Sequence, residues 1–297
     1  DAGGWHTATL VEDLDLSYRA QMKGWKCVFL PDIVVDAELP AQMNGAKRQQ
    51  FRWAKGSIQC AVKLLSDIGL KRNVAIEAKI QAFIQLTRHI VYPLMLIQFL
   101  ALPVLLAGQI NLYVVSFLPV ITLATYLAMG PGAYIVIIQS MYGKSWKSRA
   151  KLLPALLVYN AGMSVNNTVA VFDAVIGKKN EFLRTPKYGI VTKDDDWKNK
   201  AYNLPFTQTT LLEIFFGVYG IMGIFISIFS NNPIFVPIIA LQTIGFFFIA
   251  YMSLSHTRFK KNKSSNDRPL TKKEKTANNI YKLAMVGILA IIVFGGY

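Results

Sequence analysis

"FIQLTRHIVYPLMLIQFLALPVLLAGQI", residues 83–110, decides the class of fold. Arg88 and His89 apart, it is uncharged, and it exceeds the roughly 19 apolar residues needed to cross about 30 Å of hydrocarbon. Backbone inside lipid must satisfy its own hydrogen bonds, so the run predicts a helix. Working outward, residues 112–140, Thr209–Phe229 and 234–254 repeat the pattern, and a shorter run follows at 280–294. The chain of 297 residues is 53% hydrophobic, with its charges gathered between these runs, which is the profile of an α-helical membrane protein.

The formal net charge of +15 does not point to nucleic acid once its distribution is considered. Lys144 to Lys200 and Arg258 to Lys275 hold two basic clusters, whereas the connections "GQIN" (108–111) and "SNNP" (230–233) hold no Lys or Arg. By the positive-inside rule the basic regions and the N-terminal portion are expected on the cytoplasmic side. Cys27 and Cys60 form no disulfide framework, and His6, His89 and His256 have no metal-ligand spacing. No Gly-rich phosphate loop is present.

Ahead of the first run lies a soluble stretch. "EDLDLSYRAQMKG" predicts a short helix, with Glu12 and Asp13 at the dipole-favoured start and Gly24 as its stop. Residues 25–31 and 32–39 predict two strands. Residues 44–68 predict an amphipathic helix at the membrane interface, its basic Arg48, Lys55 and Lys63 set among Phe51, Trp53, Ile58, Val62 and Leu64. Residues 150–177 are long and apolar but carry Asn160, Asn166, Asn167 and Asp173 between two basic stretches. An interfacial or half-buried helix is preferred there to a crossing.

The chemistry-bearing residues lie in three places. Gln49, Arg52 and Trp53 stand at i, i+3 and i+4, so they project from one helix face. Arg offers a rigid fork for phosphate, Gln suits hydroxyls, and an indole gives a flat surface for a sugar. Interface anchoring is the plain alternative for the Trp and Arg. Glu12 and Asp13 are the carboxylates to weigh beside them. The run Asp194 to Asp196 sits in a basic loop and reads as solvated, not as a metal site.

Taken together, "VEDLDL" (11–16), "QQFRW" (49–53) and "FLRTPK" (182–187) resemble, in order, the landmarks of the membrane-embedded processive glycosyltransferases of family 2, which include cellulose, mannan, chitin and hyaluronan synthases. "VEDLDL" is similar to a Thr-Glu-Asp motif with Val11 for Thr. "QQFRW" matches Gln-x-x-Arg-Trp, and "FLRTPK" resembles Phe-x-Val-Thr-x-Lys with Arg184 for Val. The surrounding sequence, to about residue 260, is most similar to the mannan and glucomannan synthase-like branch.

That resemblance implies a fold and a division of labour. Residues 1–43 would be the C-terminal part of a cytoplasmic GT-A type α/β domain, and 44–82 the interface helix region. Membrane hairpins at 83–140 and 206–254 would flank a gating-like region at 141–205, with a basic loop at 255–278 and a final span at 279–297. Asp13, beside Glu12, would be the general base in an inverting displacement. Arg52 would bind the leaving diphosphate, and Gln49 and Trp53 the acceptor sugar. Phe182, Thr185 and Lys187 would belong to a loop closing over the nucleotide.

The implied partners are a nucleotide-sugar donor, GDP-mannose or UDP-glucose foremost, a growing polysaccharide and the lipid bilayer of a plasma or inner membrane. A divalent Mg or Mn ion is expected on an upstream portion, since residues 1–45 hold no Asp-x-Asp unit in the required context and the chain, starting at Asp1, reads as a fragment. Two alternatives remain: a non-processive enzyme acting on a lipid acceptor, and a transporter or scaffold without catalysis, which explains the spans and basic loops but leaves "VEDLDL" and "QQFRW" as coincidences.

Overall fold

A computed structural model describes residues 1–30, 33–110, 140, 147, 150–179, 181–190, 195 and 204–258. The described chain is helical: α1 (Glu12–Met22), α2 (Met43–Leu70), α3 (Ile76–Thr87), α4 (Val91–Ala107), α5 (Leu153–Val175), α6 (Thr209–Phe229) and α7 (Val236–Arg258). Among the described residues, three helical stretches are long and apolar enough to cross a membrane: Ile76–Ala107, Thr209–Phe229 and Pro233–Thr257. The expected runs at 112–140 and 280–294 lie outside the described residues, as does most of 141–149.

The first run is longer at its start than the hydropathy pattern suggests, and it is broken. A 3₁₀ turn, Arg88–Ile90, separates α3 from α4. Pro93 lies four residues beyond His89; it has no N–H for the His89 carbonyl and its ring crowds that oxygen, so the α-helical ladder cannot run through.

The two strands expected at 25–31 and 32–39 do not form among the described residues. A strand exists only by pairing, and no described segment pairs with this one. Val28, Phe29, Val34 and Val35 are consequently more than three-quarters exposed. The α/β part of the expected fold is therefore not seen.

The bundle is assembled around α5, which packs against α2, α4 and α7. Phe99, Leu102 and Leu106 of α4, Val165 of α5, and Ile239 and Phe246 of α7 form its apolar centre. At the crossing of α5 and α7 two glycines meet. A Cβ on Gly245 would lie 2.6 Å from both the Gly162 nitrogen and the Val158 oxygen, so only bare backbone permits this approach. The second half of segment 150–177 is thus internal to the bundle, with Ala161 through Thr168 buried without interruption, whereas residues 151–156 are largely exposed.

A second cluster, Val11, Cys60, Ala61, Leu64, Ile68, Ala82 and Leu86, joins α1, α2 and α3. It fixes the soluble portion onto the helix that enters the bundle.

Candidate active site

The site is built on α2. Its length follows from a continuous buried stripe, from Met43 and Lys47 through Ala54, Ile58, Ala61 and Leu64 to Ile68. Gln49 and Arg52 are half-buried and Trp53 is 39% exposed, so the trio lines the edge of that stripe and remains accessible.

Across from it comes the loop 181–190. Phe182 lies under the Arg52 guanidinium, whose carbon is 4.8 Å from the ring centroid, a cation–π contact between landmarks far apart in sequence. Thr185 packs close to Gly45 of α2, and its hydroxyl is buried without a hydrogen-bond partner among the described residues. Lys187 Nζ donates to the Glu38 carbonyl at 2.6 Å. The resemblance puts Lys187 in a loop closing over the nucleotide; in the structure its ammonium is engaged by the connector between α1 and α2.

Helix α1 docks on the other end of α2. Val11 sits against Gly56, where an added Cβ would lie 2.6 Å from a valine methyl, and Leu10 N donates to Gln59 Oε1 at 3.0 Å. Gly24, at φ +94°, closes the helix as expected. Glu12 is half-buried and Asp13 is exposed, its Oδ1 accepting the Leu14 N–H at 2.8 Å.

The buried carboxylate of the motif is instead Asp15, a residue sequence reasoning missed. Fully buried, it meets Lys63 Nζ at 2.6 Å and Arg19 Nη2 at 2.7 Å, with His6 Nδ1 at 3.7 Å. Burial pushes its pKa up, but the hydrogen bonds from Lys63 and Arg19 prevail and hold it below the ordinary carboxylate range. The available signal was the i, i+4 spacing of Asp15 and Arg19.

Two lysines on α2 lie in the interior, which the sequence reading did not anticipate. Lys47 is fully buried and pairs with Glu213 of α6 at 2.6 Å, with Thr210 Oγ1 accepting at 3.1 Å. Lys55, read as part of a basic interface face, is fully buried too. It donates to the Lys178 carbonyl at 2.6 Å and lies 3.8 Å from Asp173. Burial lowers the Lys55 pKa, and the Asp173 charge opposes that shift.

No three His, Cys, Asp or Glu side chains among the described residues come together in a way that would hold a metal ion. Cys60 is buried, which raises its thiol pKa to about 11 and leaves it unsuited to nucleophilic work.

The arrangement defines a class: a membrane-type helical bundle whose entry helix presents an arginine fork, an amide and an indole beneath an aromatic loop. Residues 1–131 match the family description "Glycosyl transferase family group 2". Over 258 residues the chain is 28% identical to the probable glucomannan 4-beta-mannosyltransferase 10 of Arabidopsis thaliana, covering 83% of this chain and 44% of that one. Glucomannan 4-beta-mannosyltransferase 9 of the same plant is 26% identical over 84% of this chain and 46% of its own length. Glucomannan 4-beta-mannosyltransferase 1 of Oryza sativa subsp. japonica is 30% identical over 65% of this chain and 36% of its own. No solved structure matches. The chain thus carries a family 2 glycosyltransferase match over residues 1–131, is similar to glucomannan mannosyltransferases over most of its length, and spans less than half the length of these relatives.

Proposed function

We propose that the protein containing this chain is an inverting hexosyltransferase of an integral membrane, which extends a β-linked mannan-type polysaccharide from a nucleotide-activated hexose and passes it through its own helical bundle. The observation that carries this reading is the Arg52–Phe182 contact, because it joins the Gln-x-x-Arg-Trp helix to the loop that the resemblance assigns to nucleotide closure. In this reading the Asp13 carboxylate takes the proton of the acceptor hydroxyl as that oxygen attacks the anomeric carbon. The bond to the diphosphate breaks on the opposite face, and Arg52 meets the charge that builds on the departing phosphate. Trp53 and Gln49 hold the acceptor sugar. The exposure of Asp13 suits a base that must reach an incoming chain end.

Transit through the bundle draws support from its interior chemistry. Asn44 Oδ1 of α2, Thr168 Oγ1 of α5 and Ser253 Oγ of α7 are buried without hydrogen-bond partners among the described residues. Such groups are costly in a membrane interior and suit a hydroxyl-rich occupant. Donor, metal and catalytic face follow the family reading: GDP-mannose or UDP-glucose, a divalent cation held elsewhere in the longer protein, and a cytoplasmic active site.

The test is incorporation of label from GDP-mannose, UDP-glucose and UDP-N-acetylglucosamine by the full-length protein in proteoliposomes, with Asp13→Asn alongside. Label in long polymer from one donor, abolished by Asp13→Asn, supports the reading. Label confined to lipid-extractable product refutes polymer synthesis in favour of a lipid acceptor, and a folded protein that uses no donor refutes the enzyme.

A further inference from the structure

The loop over Arg52 is held in place mainly by residues of the connector between α1 and α2. Glu38 accepts from two successive backbone amides, Tyr188 N–H at 2.6 Å and Gly189 N–H at 3.1 Å, one on each carboxylate oxygen. Its own carbonyl accepts Lys187 Nζ. Gly189 adopts φ +65°, a conformation that turns the two amides toward one anion. Four residues on from Glu38, just ahead of α2, the buried Gln42 carbonyl oxygen accepts from the Tyr188 hydroxyl at 3.2 Å and from Leu204 N–H at 2.9 Å, while its amide donates to the Leu204 carbonyl at 2.9 Å. The loop is therefore pinned on one side to Glu38 and stitched on the other to the approach to α6.

We propose that Glu38, assisted by Gln42, is a positioning residue that sets how often residues 182–187 lie docked over Arg52, and so how readily a nucleotide-sugar diphosphate is captured. The proposal rests on the glycosyltransferase reading for its ligand, but the latch itself stands on geometry. Glu38 reaches Arg52 only through the loop. If the docked loop is the form that captures the donor, apparent affinity falls in proportion to the docked fraction, whereas the reaction within the captured complex is untouched. Loss of the carboxylate frees both amides, while the Lys187 contact, made to backbone, persists in any side-chain variant.

The experiment compares wild type, Glu38→Gln and Glu38→Ala full-length protein in proteoliposomes by donor kinetics, tryptic cleavage after Arg184 and Lys187, and thermal unfolding. The expected result for Glu38→Ala is a KM for the sugar nucleotide raised about tenfold, with kcat within about twofold. Cleavage of the loop accelerates and the unfolding temperature holds. Glu38→Gln, keeping one acceptor oxygen, falls between. Wild-type KM and cleavage rate in Glu38→Ala overturn the proposal, and so does a joint loss of kcat and unfolding temperature, which marks a structural role only. Faster cleavage with no donor used by any variant supports the latch and overturns the glycosyltransferase reading instead.

Discussion

Replacing Lys47 by Met tests whether the interface helix is anchored to the bundle by charge. Lys47 and Glu213 are both fully inaccessible to solvent and meet at 2.6 Å, and Glu213 Oε2 has no other partner among the described residues. Removing the ammonium alone strands a carboxylate inside the bundle, at a cost of about 3–5 kcal/mol. Removing both charges in Lys47→Met/Glu213→Leu takes away the stranded group together with the desolvation penalty, so the double variant should lie within about 1 kcal/mol of wild type or above it. The coupling energy is then at least about 2 kcal/mol, well beyond what independent sites show. Denaturant unfolding in mixed micelles, followed by loss of helical circular dichroism, measures all four corners of the cycle. A double variant as unstable as the sum of the two singles, or a Lys47→Met indistinguishable from wild type, refutes the anchor.

The Asp15 carboxyl is held low by Lys63 and Arg19 when folded, so its stabilisation is complete above its unfolded pKa of about 3.9 and is lost as pH falls through the lower folded value. Docking of α1, followed by protease resistance of residues 1–24, should survive at pH 5 and fail only well into acid, and Asp15→Asn should flatten that acid limb. Maleimide at neutral pH should label the exposed Cys27 and spare the buried Cys60 until denaturant is added; equal labelling counts against the α1–α2 core. Gly245→Leu should destabilise the bundle by at least about 1–3 kcal/mol, because its Cβ alone meets Gly162 and Val158 backbone at 2.6 Å; an unchanged unfolding midpoint would move the two helices apart. Arg52→Lys, keeping charge but losing the fork and the stacking on Phe182, should lower sugar transfer by at least about tenfold with little effect on unfolding, and full activity would remove Arg52 from the phosphate role.

Much of this architecture was legible because it depends on local rules. The apolar runs, the span of α2 and the stop at Gly24 follow from hydropathy, helical periodicity and backbone freedom, all properties of neighbouring residues. Partnership across the chain was not legible. In "VEDLDL", Asp13 and Asp15 are chemically alike, yet two helical steps turn them about 200° apart, so one faces solvent and the other faces α2. The β-branched run at 33–35 has the propensity of a strand but no described segment to pair with, and propensity alone makes none.

The two least readable segments explain one another. Residues 44–68 look interfacial because of their lysines, and residues 150–177 look unfit for an interior because of Asn166, Asn167 and Asp173. In the bundle Asp173 lies beside Lys55, and Asn166 Nδ2 donates to the Lys47 carbonyl at 3.0 Å. Asp173 and Asn166 of α5 are thus partners for α2, and Lys55 of α2 finds its counter-charge on α5. A search restricted to either segment finds only misplaced charge. Taken jointly, the two patterns predict that exchanging the acidic and basic members, Lys55→Asp with Asp173→Lys, retains more stability than either change alone. Both single variants would bury like charges opposite one another, so equal stability of the single and double variants would show that α2 and α5 are held by apolar packing alone.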